Sequence, residues 1–168
     1  MVALDRSARR LALIGRAARR LGLENVTALE RDATQSLADV PGAPFDRILV
    51  DAPCSGLGAL RRNADARWRV APEDPAQLAE TQAALLASAT PLLRPGGTLV
   101  YSTCTLTGEE NDDVVSACLA REPQLRRSDA PALSAALRPL LDAEGALRTW
   151  PHRHGMDGFF AVRMERSS

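Results

Sequence analysis

In Ile48-Leu49-Val50-Asp51-Ala52-Pro53-Cys54-Ser55-Gly56 an apolar run without alternation gives way to an acid, a proline and a cysteine. Such a run matches a strand buried on both faces of a parallel sheet. Its end places reactive side chains at the carboxyl edge, where α/β proteins bind ligands. A second run, Thr98-Leu99-Val100-Tyr101-Ser102-Thr103-Cys104, also stops in a cysteine. Two strands that each end in a thiol call for a common explanation.

Toward the N-terminus, Phe45 to Val50 is the third strand of a series. Val2 to Asp5 reads as a short strand ending in an acid, and residues 6–21 as an amphipathic helix with Leu11, Ile14, Ala18 and Leu21 on one face. Val26 to Leu29 is a second strand, and Pro41, Gly42 and Pro44 break the chain before Phe45. Toward the C-terminus comes a loop holding Gly58, Arg61, Arg62, Arg67, Trp68 and Arg69. A helix from Pro75 to Leu93 follows, then Arg94-Pro95-Gly96-Gly97 and the strand 98–103. Glu109 and Glu110 open a helix from Gly108 to Arg121, since acids favour a helix N-terminus. Residues 122–144 read as a surface insertion with a short helix around 131–142. Ala146 to Trp150 and Phe159 to Met164 are strands joined by a glycine-containing turn.

Strands alternating with helices, then a closing strand pair, give a Rossmann-like α/β sheet covered on both faces, with an antiparallel C-terminal edge. That class names no function by itself. With 168 residues, 45% hydrophobic and 25% charged, the chain has the size and composition of one soluble domain. The net charge is zero and all 21 basic residues are arginine, so net charge gives no support to nucleic-acid binding, although a local patch is compatible with it. Three cysteines without a secretory or membrane-length apolar run fit a reducing, cytoplasmic compartment and argue against a disulfide scaffold.

Asp5, Asp32 and Asp51 each follow a strand, so a parallel sheet sets all three along its carboxyl edge, suited to bonding ribose hydroxyls. Strand-end acids also serve as helix caps. No dinucleotide fingerprint, P-loop or nucleophile elbow is present. His152, His154 and the cysteines lack the spacing of a zinc site, and no metal is expected. A catalytic cysteine needs a lowered pKa: Cys104 has a helix just downstream, Cys54 has the loop arginines, and either can serve. Cys118, beside Val114, Val115 and Leu119, reads as a core residue.

Asp51-Ala-Pro-Cys-Ser-Gly56, followed by Tyr101-Ser-Thr-Cys-Thr105 and Glu109-Glu110-Asn111, resembles the Sun (NSUN, Fmu) family of S-adenosylmethionine-dependent RNA cytosine-C5 methyltransferases. Arg94-Pro-Gly-Gly97 and His154-Gly-Met-Asp-Gly-Phe-Phe160 match as well, and the likeness is closest to bacterial members that modify small-subunit ribosomal RNA. The resemblance implies a class I methyltransferase fold, Cys104 as nucleophile and Cys54 in product release. It also implies Asp5 at the cofactor ribose, Asp32 at the adenine and Asp51 near the methionine moiety and the target base. A carboxylate at Asp51 also suits the cytosine amino group. The substrate is then an unpaired or flipped cytosine.

The family places a strand and a glycine-rich cofactor loop directly before the strand that begins at Val2, and an RNA-binding extension before those. Neither is found in this sequence, so the chain is expected to be an N-terminally truncated, partial catalytic domain. Ala64 stands where relatives carry proline. Two other readings stay open: a catalytically impaired fragment acting as an RNA-binding or scaffold domain, and a methyltransferase whose chemistry needs no cysteine.

Overall fold

A computed structural model describes residues 1–128 and 135–168. The strands are β1 (Val2–Asp5), β2 (Thr27–Glu30), β3 (Phe45–Asp51), β4 (Leu93–Thr103), β5 (Leu125–Arg127), β6 (Leu147–Thr149) and β7 (Phe159–Arg166). The α-helices are α1 (Ala8–Arg20), α2 (Asp74–Ala89), α3 (Asp112–Arg121) and the single turn α4 (Pro151–His154). Among the described residues these strands form two sheets: β1 paired parallel with β2, and a larger sheet in the order β3-β4-β7-β5 with β6 also on β7.

The register of the larger sheet positions everything that follows. β3 and β4 run parallel with Ile48 opposite Leu99 and Asp51 opposite Ser102. The ladder extends one residue further, since the Ala52 amide donates to the Ser102 carbonyl at 2.9 Å. On the other side of β4, β7 is antiparallel, with Tyr101 opposite Val162. β5 and β6 line the far edge of β7 at its two ends. The strand pair expected at the edge therefore has β7 inside the sheet, and β5, within the stretch read as a surface insertion, contributes the buried Leu125.

Alternation of side chains gives the larger sheet one buried face. Leu99 and Tyr101 of β4 and Phe160, Val162 and Met164 of β7 pack against Leu86 of α2 and Val115 of α3, all almost completely buried. Tyr101 and Phe160 meet edge to face with ring centroids 6.3 Å apart, a favourable aromatic geometry. The opposite face is half-exposed and carries polar contacts such as Arg163 Nη2 to Thr98 Oγ1 at 3.1 Å. Among the described residues, therefore, the larger sheet is covered on one face.

Several expected boundaries move, each for a local reason. Ser7 caps α1, accepting from the Arg10 amide, so the helix starts at Ala8. The helix expected to reach Leu93 ends at Ala89, with a 3₁₀ turn over Thr90–Leu92 at Pro91. Arg94-Pro95-Gly96-Gly97 lies inside β4, where the register shifts between Phe45 and Arg47 of the neighbouring strand. Such an irregularity tolerates proline and glycine within a strand. The expected helix around 131–142 falls partly outside the described residues; a 3₁₀ segment spans Ala135–Leu140.

β3 also departs from the expectation of a strand buried on both faces. Ile48 and Val50 pack toward the core, but Leu49 is 67% exposed. Among the described residues no ladder joins β3 to β1; the two sheets meet through the apolar cluster of Leu37, Val40 and Leu92 with Val2, Leu4, Phe45 and Ile48 and through the Ser88 hydroxyl, which donates to the Ala33 carbonyl. A cleft of about 880 Å³, lined by Met1, Val2, Phe45 and Arg47 among others, opens where β1 and β3 begin.

A two-stranded sheet held by one small cluster opens more readily than the interior of a larger one. Native-state hydrogen exchange will show β1–β2 amides exchanging well before those of β4 and β7; equal protection in both sheets contradicts this account.

Candidate active site

The parallel register carries the chain past Asp51 and Ser102 into two adjacent loops, and the cysteines meet there. Cys54 Sγ lies 3.3 Å from Cys104 Sγ, within hydrogen-bond range for sulfur. The Cys104 amide also donates to Cys54 Sγ at 3.3 Å. The consistent arrangement keeps the proton on Cys54, which accepts from the amide and gives its S–H to Cys104. Accordingly the Cys104 thiol is lowered to about 7, first by the Cys54 hydrogen bond, against burial and the nearby Asp51 and Glu110 carboxyls. The same hydrogen bond, followed by burial, pushes the Cys54 thiol far up.

This differs from both sources of activation read from the sequence. α3 begins only at Asp112. Arg61 and Arg62 turn to Asp157, with Arg62 Nε 2.6 Å from its Oδ2. The second thiol itself does the work of a cation or helix dipole.

Holding two loops this close requires a knot, and Glu110 is its centre. Fully buried, it accepts from the Ser55 amide at 2.8 Å and from Gln82 Nε2 at 3.1 Å on one oxygen. The other oxygen accepts from Ser55 Oγ at 2.5 Å and Thr107 Oγ1 at 2.9 Å. Its backbone carbonyl takes the Tyr101 hydroxyl at 2.6 Å. Asn111 ties the same loop, accepting from Thr103 Oγ1 at 2.6 Å and donating to the Thr105 carbonyl at 3.2 Å. Glu110 is thus not a helix-opening acid: the first turn of α3 has Asp112 and Asp113, and Glu110 points inward from the preceding turn. The sequence signal was the pair Glu109-Glu110, but two adjacent acids do not reveal which one is buried.

Close backbone approach fixes the next loop. The Gly58 amide donates to the Cys104 carbonyl at 2.9 Å, and the Gly158 amide to the Gly58 carbonyl at 2.8 Å. A Cβ at Gly58 would stand 2.1 Å from the Gly158 oxygen, so only glycine fits there. By this contact the turn before β7 is brought beside the cysteines.

The three strand-end acids are all found at carboxyl ends. Asp51 is exposed, with Oδ1 accepting from Ser102 Oγ at 3.0 Å. Asp5 accepts from the Ser7 amide at 2.8 Å and faces Arg10 at 3.6 Å. Asp32 accepts from the Thr34 hydroxyl at 2.7 Å and amide at 2.9 Å; these bonds, the hydroxyl first, lower its pKa, leaving an ionised acceptor in solvent. Capping and ligand binding are compatible here, since each carboxylate keeps acceptor capacity. Asp5 and Asp32 belong to the smaller sheet and Asp51 to the larger. Cys118 is buried in the core, as its neighbours implied. His154 Nδ1 accepts from the Trp150 amide at 2.9 Å and His152 is exposed. Among the described residues no group of three His, Cys, Asp or Glu is placed to hold a metal ion, and no helix is long and apolar enough to cross a membrane.

Parallel strands and helices with acids at three strand ends and two facing thiols are consistent with a Rossmann-like class I methyltransferase domain, and the solved structures it resembles are of that class. NSun6 from Pyrococcus horikoshii, solved with SFG, superposes with a TM-score of 0.81 at 30% identity, over 99% of this chain and 41% of that one. A methyltransferase homologue from the same organism gives 0.77 at 29% identity, over 98% and 52%. The chain belongs to the family described as 16S rRNA methyltransferase RsmB/F, whose model matches residues 1–165. It is 41% identical to the probable ribosomal RNA small subunit methyltransferase B of Bacillus subtilis, over 99% of the chain and 37% of the relative. It is also 41% identical to ribosomal RNA small subunit methyltransferase F of Klebsiella pneumoniae, over 100% and 35%. The chain therefore spans little more than a third of these relatives' length.

Two substitutions probe this geometry. In Cys54→Ala the Cys104 thiol loses its donor and returns toward an ordinary value near 8.5, so iodoacetamide alkylation of Cys104 at pH 7 slows by roughly tenfold and its pH midpoint rises. An unchanged midpoint refutes thiol–thiol activation. Glu110→Ala leaves the Ser55 amide and the Gln82 amide group buried without their acceptor, and thermal unfolding will show a loss of about 3 kcal/mol. Glu110→Gln, which retains one acceptor oxygen for both, should cost clearly less.

Proposed function

We propose that this chain is the catalytic part of an S-adenosylmethionine-dependent RNA cytosine-C5 methyltransferase acting on ribosomal RNA, with Cys104 adding covalently to the target base. The observation that carries this reading is the facing pair of thiols, one poised as thiolate near neutral pH and the other holding the proton.

Cytosine C5 is too weak a nucleophile to take a methyl group unaided. Attack of the Cys104 thiolate on C6 forms the C6–S bond and drives the ring electrons onto C5, making it enamine-like. S-adenosylmethionine, when bound, supplies the electrophilic methyl group that C5 accepts. Loss of the C5 proton and return of the C6–S electron pair to sulfur then regenerate aromatic base and Cys104 thiolate. Cys54 assists that last step: its S–H hydrogen bond stabilises the departing sulfur as an anion.

The residues present fit such a cofactor. Asp5 and Asp32 offer carboxylate acceptors at strand ends to the ribose hydroxyls and the adenine end, and Asp51, at the end of β3 three residues before Cys54, offers one on the side of the thiols. Asp51 also suits the exocyclic amino group of cytosine, an acceptor facing a donor. A base inside a helix does not reach two loops at a sheet edge, so the cytosine is unpaired or flipped.

The experiment is a covalent trap. RNA carrying 5-fluorocytosine cannot lose its C5 substituent as a proton, so incubation with S-adenosylmethionine leaves protein and RNA linked in a gel-stable complex. Cys104→Ala should abolish the complex, and Cys54→Ala should leave it intact and accumulate adduct on unmodified RNA. A complex that survives Cys104→Ala but is lost in Cys54→Ala reverses the two roles. Full methyl transfer by the double alanine variant replaces covalent catalysis with direct transfer.

A further inference from the structure

The segment between Gly58 and α2 takes no part in the chemistry above, yet it is joined to the nucleophile's own backbone. It is a succession of tight turns, Leu57–Ala59 and Ala64–Trp68, closed by hydrogen bonds such as Asn63 amide to Ala59 carbonyl and Arg69 amide to Ala66 carbonyl, each 3.0 Å. Gly58 fastens it to Cys104, and Asp157 fastens it again through Arg62 and Arg61, beside the Gly158 that meets Gly58.

At its end stands Trp68, 79% exposed, an unusual position for the largest apolar side chain. The guanidinium of Arg67 lies 4.9 Å from the centroid of its ring. Residues 61–69 carry four arginines and one aspartate, all exposed, in a protein whose net charge is zero. Arg61 and Arg62 share the single carboxylate Asp157 and remain 52% and 76% exposed. A cationic surface with an open indole face beside it has the chemistry of a single-stranded nucleic-acid platform: guanidinium groups meet phosphates, and the ring stacks on a base of any identity. A nucleic-acid strand is the favoured occupant because four exposed arginines on so short a turn call for a run of negative charge, which a phosphate backbone supplies at regular spacing.

We infer that the Arg61–Arg69 turn with Trp68 is the landing surface for the unpaired RNA strand flanking the target cytosine, Trp68 stacking on a neighbouring base. This rests on the RNA methyltransferase reading for its substrate class but on none of its chemistry. Stacking a flanking base helps to hold the strand open, which favours delivery of the cytosine to Cys104.

Binding of a single-stranded RNA oligonucleotide, without cofactor, tests it through tryptophan fluorescence. The expected result is quenching on RNA addition, lost in Trp68→Phe although that variant binds nearly as well. In Trp68→Ala, binding measured by anisotropy of labelled RNA weakens by roughly tenfold. Arg67→Ala and Arg69→Ala should each lower the slope of log affinity against log salt by about 0.7. Equal affinity of Trp68→Ala and the parent protein, preference for duplex, absence of RNA binding, or protection of Trp68 by another segment of protein overturns the inference. A failed 5-fluorocytosine trap alongside Trp68-dependent binding sinks the chemistry alone; a working trap without Trp68 dependence sinks the platform alone.

Discussion

A buried carboxyl group with neutral donors is the constraint on which the site depends. Glu110 lies in the core side of the loop after Cys104, yet its side chain binds the backbone and hydroxyl of Ser55, one residue beyond Cys54. Removing a carboxyl group from water is costly, and the cost is offset here because both oxygens are filled. Hydrogen bonds of this kind are directional, so they fix distance as well as add stability. The thiols are consequently close, and the lowered Cys104 pKa is a result of that closeness.

Beneath the knot lies the parallel register of β3 and β4. A shift by one residue would turn Asp51 and Ser102 to different faces and carry Cys54 away from Cys104. The register is held by burial on one face only, through Leu99, Tyr101 and their partners on β7 and the two helices. The thiol site is thus built from the well-packed part of the molecule, while Asp5 and Asp32, proposed above for the cofactor, lie at strand ends of the smaller sheet. Binding of a ligand that touches both would add to a junction made by the small cluster around Leu37 and Val40 and by the Ser88 hydroxyl, which donates to the Ala33 carbonyl.

Much of the fold was legible because the strands are announced by uninterrupted apolar runs and the breaks by proline and glycine. β1, α1, β3 and the pair β6–β7 lie close to where periodicity placed them. The errors share a cause: periodicity reports local preference, not which neighbour arrives. Leu49 reads as buried but is exposed; Pro95-Gly96-Gly97 reads as the break between helix and strand but is carried inside the strand at a register shift; Leu125 reads as surface but enters the sheet beside β7. The cysteines were legible as a pair because both ended strands, whereas Glu110 and Asn111 were legible only as members of a motif and Gln82 not at all, since nothing local says which polar residue burial will make structural.

The sequence by itself determined the class of fold, the residues at the carboxyl edge and the family, since these follow from local apolar pattern and from motifs contiguous in the chain. Only the tertiary structure decided that Cys54 activates Cys104 without arginines or a helix dipole, that Glu110 is a buried clasp, and that Trp68 stands exposed beside a cationic turn. The reason is distance: hydrogen bonds, desolvation and charge act over a few ångströms, between residues such as Cys54 and Cys104 that are far apart in sequence and adjacent only after β3 and β4 have paired.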